Sequence, residues 1–163
     1  MRKLAFLVPF AAAAALAAAA QAQPAGVAVT LDPTFEREAQ KIGMRDVQAQ
    51  MDRLGAVVER ALADDADLAG ARIELVLTDL RPNRPTFEQI RDRPGLDPIR
   101  SISTGGAAIE GRIIHADGRV TPVRYERFSN SLDDVVGVGV WFDAERAYER
   151  LAANLEAGRY VQH

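Results

Sequence analysis

The stretch from position 44 to position 62 carries apolar residues at every third or fourth position, and polar or charged residues fill the positions between them. This spacing predicts a helix with one apolar face, which has to be buried against another element. Runs with apolar residues at alternate positions, the pattern of strands, flank it at 27–31 and 73–78. A strand, a crossover helix and a strand predict parallel pairing of the two strands. Residues 34–42 could be an earlier turn of the same helix, although Gly43 follows them.

A β-hairpin is predicted in the second half of the chain. Residues 107–115 and 120–128 have the composition of strands, and the Asp117-Gly118 pair between them is typical of a tight turn. Pro122 has no amide hydrogen to donate to a neighbouring strand, so its strand is expected at an edge of the sheet or at a bulge.

The last part of the chain predicts one more strand and a final helix. Residues 135–142 are the candidate strand, which Gly137 and Gly139 would loosen. Asp143 is expected to cap the final helix, and Gly158 suits its end. The apolar face of that helix consists of Ala144, Ala147, Tyr148, Leu151 and Leu155. The predicted order is β-α-β, long loop, β-β-β-α. It describes an α/β (α+β) fold, a two-layer sandwich in which helices cover one face of a mixed sheet.

Residues 1–22 have the composition of a secretory signal peptide. Two basic residues precede an apolar, alanine-rich run at 4–20, and Ala20-Gln21-Ala22 fits a small-x-small cleavage site. We expect cleavage after Ala22 and a mature protein that is periplasmic or secreted. The run is at the short limit for crossing a bilayer and alanine is only weakly apolar, so an uncleaved anchor is the less favoured alternative. No transmembrane segment is predicted after cleavage.

Composition limits the function classes that remain. The chain has 163 residues, no cysteine and a formal net charge of −3. Residues 23–163 have the usual size of a single domain. Without cysteine, disulfides, thiol catalysis, thiolate metal sites and a lipidated cysteine are excluded. An acidic chain also argues against nucleic-acid binding, which needs a basic surface.

The segment 81–106, called the arginine loop below, has the strongest chemical bias. It holds four prolines and ends in Gly105-Gly106, and a loop this long is either functional or poorly ordered. A helical turn is predicted around 86–91. Its arginines are Arg81, Arg84, Arg91, Arg93 and Arg100. Because guanidinium groups bind carboxylates and phosphates in bidentate fashion, we predict that these five residues bind ligand. The alternative is that they pair with neighbouring carboxylates and keep the loop soluble.

His115 and Asp117 form an alternative candidate site. Residues two positions apart on a strand lie on the same face of the sheet, so these two side chains would be neighbours. A histidine held by a carboxylate is a common unit of base catalysis and of metal ligation. Asp117 also has an ordinary role as the turn residue before Gly118. A small hydrolase or metal-dependent enzyme predicts a cleft that converges on His115. A binding protein predicts exposed arginines clustered on one surface.

Other signatures of catalysis are missing from the sequence. It has no G-x-S-x-G motif and neither the Walker nor the dinucleotide glycine pattern. The acidic run at 64–70 lacks the sixth-position glycine and the distal glutamate of a calcium loop, so we interpret it as a solvated helix terminus. We therefore predict a protein that is not an enzyme and uses no cofactor.

Short motifs along the mature chain carry a resemblance to known proteins. They are Arg84-Pro85-Thr86-Phe87, Pro94-Gly95-Leu96, Gly105-Gly106-Ala107, Asp117-Gly118, Tyr125 and Asp143-Ala144-Glu145-Arg146-Ala147. Together they resemble an uncharacterised group of small exported proteins of alphaproteobacteria. More distantly, the order of elements is similar to that of small accessory proteins of the bacterial envelope, many of which are lipoproteins, whereas this chain lacks the lipidated cysteine. The resemblance implies export and fold, and it brings no catalytic residues.

The residues and the resemblance together predict a non-catalytic periplasmic binding protein or envelope accessory protein. Its arginine loop would engage an anionic ligand or a partner, either an envelope protein or an anionic component of the cell wall.

Overall fold

The computed structural model describes residues 26–63, 65–135, 137 and 139–162. The predicted signal peptide and His163 lie outside these residues. The strands are β1 Gly26–Leu31, β2 Arg72–Arg81, β3 Gly106–Ile114 and β4 Val120–Phe128. The α-helices are α1 Glu36–Ile42, α2 Met44–Leu62, α3 Phe87–Asp92 and α4 Phe142–Glu156, and short 3₁₀ turns lie at Ala66–Leu68 and Leu132–Asp134.

The four strands form one mixed sheet in the order β1-β2-β3-β4. β1 and β2 run parallel and are joined through α2, which confirms the predicted crossover. β2, β3 and β4 follow as antiparallel neighbours, with a register shift in β2 between Leu77 and Asp79. The predicted hairpin is confirmed, and the strand that contains Pro122 lies at an edge of the sheet.

The core lies between one face of the sheet and the helices α2 and α4. Ile73, Leu75 and Leu77 alternate with half-exposed neighbours along β2, so one face of this strand is buried and the other open. α2 packs on β1, α4 packs on β3 and β4, and the two helices pack against each other. This arrangement confirms the predicted two-layer sandwich with helices on one face.

Gly43 divides the first helical region into two helices. Its φ of +112° is a conformation that residues with a side chain rarely adopt, and it separates the end of α1 from the start of α2. A Cβ at this position would also lie 3.0 Å from Glu88 Cβ of α3. Glycine here therefore permits both the bend and the close approach of α3.

The prediction of a strand at 135–142 is wrong for the residues that the structure describes in this range. Leu132–Asp134 is a 3₁₀ turn, and Phe142 already belongs to α4; Val136 and Val138 lie outside the described residues. The edge next to β4 is occupied instead by the C-terminal tail. There the Arg124 amide donates to Tyr160 O at 2.9 Å, and the Gln162 amide donates to Arg124 O at 3.0 Å. The order β-α-β-loop-β-β-β-α thus has one strand too many.

The start of α4 also differs from the prediction that Asp143 caps it. The helix begins at Phe142, and the flanking residue Trp141 makes no side-chain capping bond. The side chain of Asn83, from the arginine loop, takes this role by accepting from the Asp143 amide at 2.9 Å. Gly158, at a φ of +67°, ends the helix as expected.

Candidate functional site

The arginine loop is folded and fastened to the rest of the molecule. A helical turn was predicted around 86–91, and α3 forms there, at Phe87–Asp92. Thr86 and Gln89 make a reciprocal capping box at its start. The Thr86 hydroxyl, itself buried, also donates to the Ile42 carbonyl at the end of α1 at 2.5 Å. The amino end of α3 is thereby held against α1.

A buried polar cluster fastens the loop to α4. Asn83 and Asp143 are 1% and 2% exposed. The Asn83 amide group donates from Nδ2 to the Asp143 carboxylate at 2.5 Å, and the Ser129 hydroxyl donates to the same carboxylate oxygen at 2.5 Å. Two backbone hydrogen bonds add to these contacts. The backbone N–H of Asn83 donates to Val140 O at 2.7 Å, and the backbone N–H of Ser103 donates to Asn83 O at 2.9 Å. The Asn83 bonds of this cluster hold the loop against the start of α4.

Asp97 organises a turn within the loop. Its Oδ1 accepts from the amides of Ile99 and Arg100 at 2.8 and 2.7 Å. These two amide bonds hold the pKa of the Asp97 carboxyl below its ordinary value. The charged form of Asp97 therefore stabilises the local fold at neutral pH.

The five predicted arginines differ in the contacts that their side chains make. The Arg84 side chain donates to the Ile99 carbonyl within the loop. Arg91 forms ion pairs with Glu88 and Asp92. The ion pairs of Arg91 match the alternative, in which arginines pair with neighbouring carboxylates and keep the loop soluble. Arg84 has a carbonyl partner instead.

Arg81 stands at the carboxyl end of β2 and faces two other groups. Its guanidinium lies 2.6 Å from the Asp79 carboxylate and 4.4 Å from the centre of the Phe128 ring. The side chain is nevertheless 56% exposed. Contacts on two sides orient the guanidinium while part of it stays accessible to solvent.

Arg93 and Arg100 are exposed. Neither forms an ion pair or a side-chain hydrogen bond with the residues that the structure describes. Arg93 follows α3 directly, and Arg100 belongs to the turn that Asp97 organises. Among the predicted arginines, these two therefore have guanidinium groups with no described protein partner.

Arg81 and Arg93 line one cavity of about 350 Å³. We call it the loop cavity. Its other polar lining residues are Gln89, Ser101, Ser103 and Thr104, and its apolar lining residues are Pro82, Pro85, Leu96 and Ile102. No aspartate or glutamate is among these lining residues, so its fixed charge comes from the two arginines. Such a cavity favours an anionic group.

A second cavity of about 510 Å³ adjoins the loop cavity and shares Arg81, Pro82 and Gln89 with it. Its lining includes Glu38 and Asp79, so its charge character differs from that of the loop cavity. Gln89 and the loop hydroxyls were not predicted as site residues. The Thr86-x-x-Gln89 spacing could have placed α3, but which side chains meet across the loop depends on its tertiary fold.

His115 and Asp117 occupy the turn between β3 and β4, as expected. His115 is 8% exposed, and its Nε2 and Nδ1 lie 3.0 Å from Thr121 Oγ1 and 3.2 Å from the Arg119 guanidinium. Asp117 accepts from the Arg119 amide at 2.9 Å, which lowers the pKa of its carboxyl. Neither His115 nor Asp117 lines the cavities described above. The described residues contain no cluster of three or more metal-binding side chains.

Comparison of the chain with protein-family models and with curated proteins finds no match. Among the described residues, no helix has the length and apolar character required to cross a membrane.

Proposed function

We propose that this protein is a non-catalytic binding or accessory protein of the bacterial envelope, periplasmic or secreted. Its arginine loop engages an anionic ligand or the acidic surface of an envelope partner. The observation that carries the proposal is the loop cavity, which Arg81 and Arg93 line together with no aspartate or glutamate. Location in the envelope is supported by the composition of residues 1–22.

The way the loop is built supports binding. Asn83 and Thr86 fasten it to α4 and α1 through buried hydrogen bonds. A site on a fixed loop loses little conformational entropy when a partner binds, so more of the interaction energy remains as affinity. The charges of Arg81 and Arg93 are also presented by a protein that is acidic overall, which favours binding at this location over general attraction of anions.

In-cell crosslinking tests the proposal. The full chain, tagged at its C-terminus and expressed with its own first 22 residues, is crosslinked, purified under denaturing conditions and analysed by mass spectrometry. We expect a reproducible envelope partner or cell-wall fragment that is lost from the R81A/R93A double variant.

Two variants serve as controls. Arg60→Ala removes an exposed arginine of α2, far along the chain from the loop, and should retain the partner. Arg91→Ala removes an arginine that is ion-paired with Glu88 and lies outside the loop-cavity lining, and it should also retain the partner. Equal recovery of the partner by wild type and by the R81A/R93A variant would show that the loop cavity is not the binding surface.

A further inference from the structure

Three side chains that line the loop cavity have a donor left for a ligand, whereas the Ser103 hydroxyl already donates to Pro82 O at 2.7 Å. Gln89 Oε1 already accepts from the Thr86 amide at 3.1 Å, so the Gln89 side chain has its NH₂ group left to donate. Ser101 Oγ accepts from the Asp97 amide at 3.0 Å, which leaves its hydroxyl hydrogen. Arg93 contributes a guanidinium, which only donates. A ligand group that satisfies all three must be an acceptor.

One charged group in the cavity is less neutralised than the other. Arg81 is already 2.6 Å from Asp79, whereas Arg93 has no ion pair among the described residues. The unbalanced positive charge of the cavity therefore comes mainly from Arg93. The two carboxylates of the adjoining cavity are ion-paired as well, Glu38 with Lys41 and Asp79 with Arg81. The single guanidinium without an ion pair is matched by a ligand group with one negative charge.

The cavity also has an apolar part. Pro82, Pro85, Leu96 and Ile102 share the lining with the donors. Its volume of about 350 Å³ is at the small end of ligand pockets. A cavity of this size has room for one anionic group with a small apolar substituent. Burial of the substituent would add affinity that an inorganic ion cannot gain.

We propose that the loop cavity binds a carboxylate attached to a small apolar group, such as the C-terminal residue of a short peptide. The proposal rests on the function proposed above and specifies its ligand. The carboxylate accepts hydrogen bonds from the Arg93 guanidinium, the Gln89 NH₂ group and the Ser101 hydroxyl. The apolar substituent lies against Leu96 and the prolines.

Isothermal titration of the purified chain with N-acetyl-alanyl-alanine tests this inference. Its C-terminal amide, which lacks the charge, and inorganic phosphate, which lacks the apolar group, are the matched ligands. We expect the free carboxylate to bind more tightly than either. Shifts of the Gln89, Arg93 and Ser101 amide resonances in a nitrogen-edited NMR spectrum should locate it. Equal affinity for the amide, or tighter binding of phosphate, overturns the proposal.

Two variants define the role of the guanidinium. Arg93→Ala should weaken carboxylate binding by about tenfold to a hundredfold, because a hydrogen bond to a charged group is lost. Arg91→Ala should leave it unchanged, and an unchanged thermal midpoint in both variants shows that they are folded. Wild-type affinity in the Arg93→Ala variant overturns the proposal.

The outcome separates this inference from the proposed function. If the dipeptide does not bind but the crosslinked partner still depends on Arg81 and Arg93, the carboxylate site is wrong and the binding function stands. If the carboxylate binds and no partner is crosslinked in cells, the carboxylate site is supported and the proposal of an envelope protein partner is wrong.

Discussion

Tyr148 is the largest side chain that is fully buried in the core, and its hydroxyl has no hydrogen-bond partner among the described residues. Burial raises the pKa of this phenol well above its ordinary value, with a smaller contribution from the charge of Glu145. The hydroxyl therefore stays protonated, and it has lost its bonds to water without replacing them. Such a group costs stability, while the ring that carries it contributes much of the packing of α4.

Replacing Tyr148 by Phe should leave the free energy of unfolding unchanged or raise it by up to about 1 kcal/mol, because the unsatisfied hydroxyl is removed and the ring is kept. Urea unfolding followed by circular dichroism measures this. Tyr148→Ala is the matched comparison and should destabilise by about 3–5 kcal/mol through the cavity it leaves. A loss of more than 1 kcal/mol in Tyr148→Phe would mean that the hydroxyl does have a partner.

The arginine loop is an element without regular structure over most of its length, and a few buried bonds define its path. Asn83 contributes the most, since its side chain both donates to the Asp143 carboxylate and accepts from the Asp143 amide. The same carboxylate receives the Ser129 hydroxyl. Loss of the asparagine would leave a buried charge with one donor fewer and the start of α4 without its cap.

Asn83→Ala should lower the free energy of unfolding by about 2–4 kcal/mol. The exposed residue Asn130 provides the control, and Asn130→Ala should change stability by less than about 0.5 kcal/mol. Chemical denaturation of both variants gives the comparison. If the two variants were equally stable, the polar cluster would not be what fastens the loop.

The sequence predicted individual helices and strands more successfully than it predicted which segments pair with each other. The periodicity of 44–62 and the Asp117-Gly118 turn are local signals, and both elements form as predicted. Residues 135–142 carry a similar strand-like signal, but the edge beside β4 is taken by Tyr160 and Gln162. Which segment pairs with a sheet edge depends on the whole fold, so a local pattern could not reveal it.

The candidate site shows the same division. The cluster of arginines in the sequence predicted a site in the loop, but only the fold distinguishes Arg84, which donates to a loop carbonyl, from Arg93, which lines the cavity. The proposed role of Gln89 as a hydrogen-bond donor to the ligand depends on the capping bond with Thr86, which occupies the oxygen of its side chain. Side-chain partners of this kind are determined by tertiary structure.

At the scale of the molecule, three turns in the described part of the chain contain an aspartate whose pKa is lowered by hydrogen bonds. The pKa of Asp32 is lowered by hydrogen bonds from Thr34, that of Asp97 by the amides of Arg100 and Ile99, and that of Asp117 by the Arg119 amide. In each case the pKa in the folded state is below that in the unfolded state. The stabilisation is therefore complete above the unfolded pKa and is lost as the pH falls through the folded pKa.

The thermal midpoint should accordingly fall when the pH drops below about 4. The triple variant D32N/D97N/D117N keeps an acceptor oxygen at each turn but cannot titrate there, so its midpoint should fall less between pH 6 and pH 3. Differential scanning calorimetry at matched ionic strength measures both proteins. Superimposable pH profiles would show that these carboxylates do not couple folding to protons.

The hydrogen bond between Asn83 and Asp143 joins positions 60 residues apart. A chain appears from its N-terminus during synthesis, so β1, α2 and β2 are all present well before the residue that fixes the loop. The contacts between Asn83 and Asp143 can therefore form only after α4 has emerged. A product truncated ahead of that helix would retain every arginine of the loop and lack these contacts. If the proposed ligand binds as we expect, its binding to a truncated product would therefore report whether α4 is present and docked.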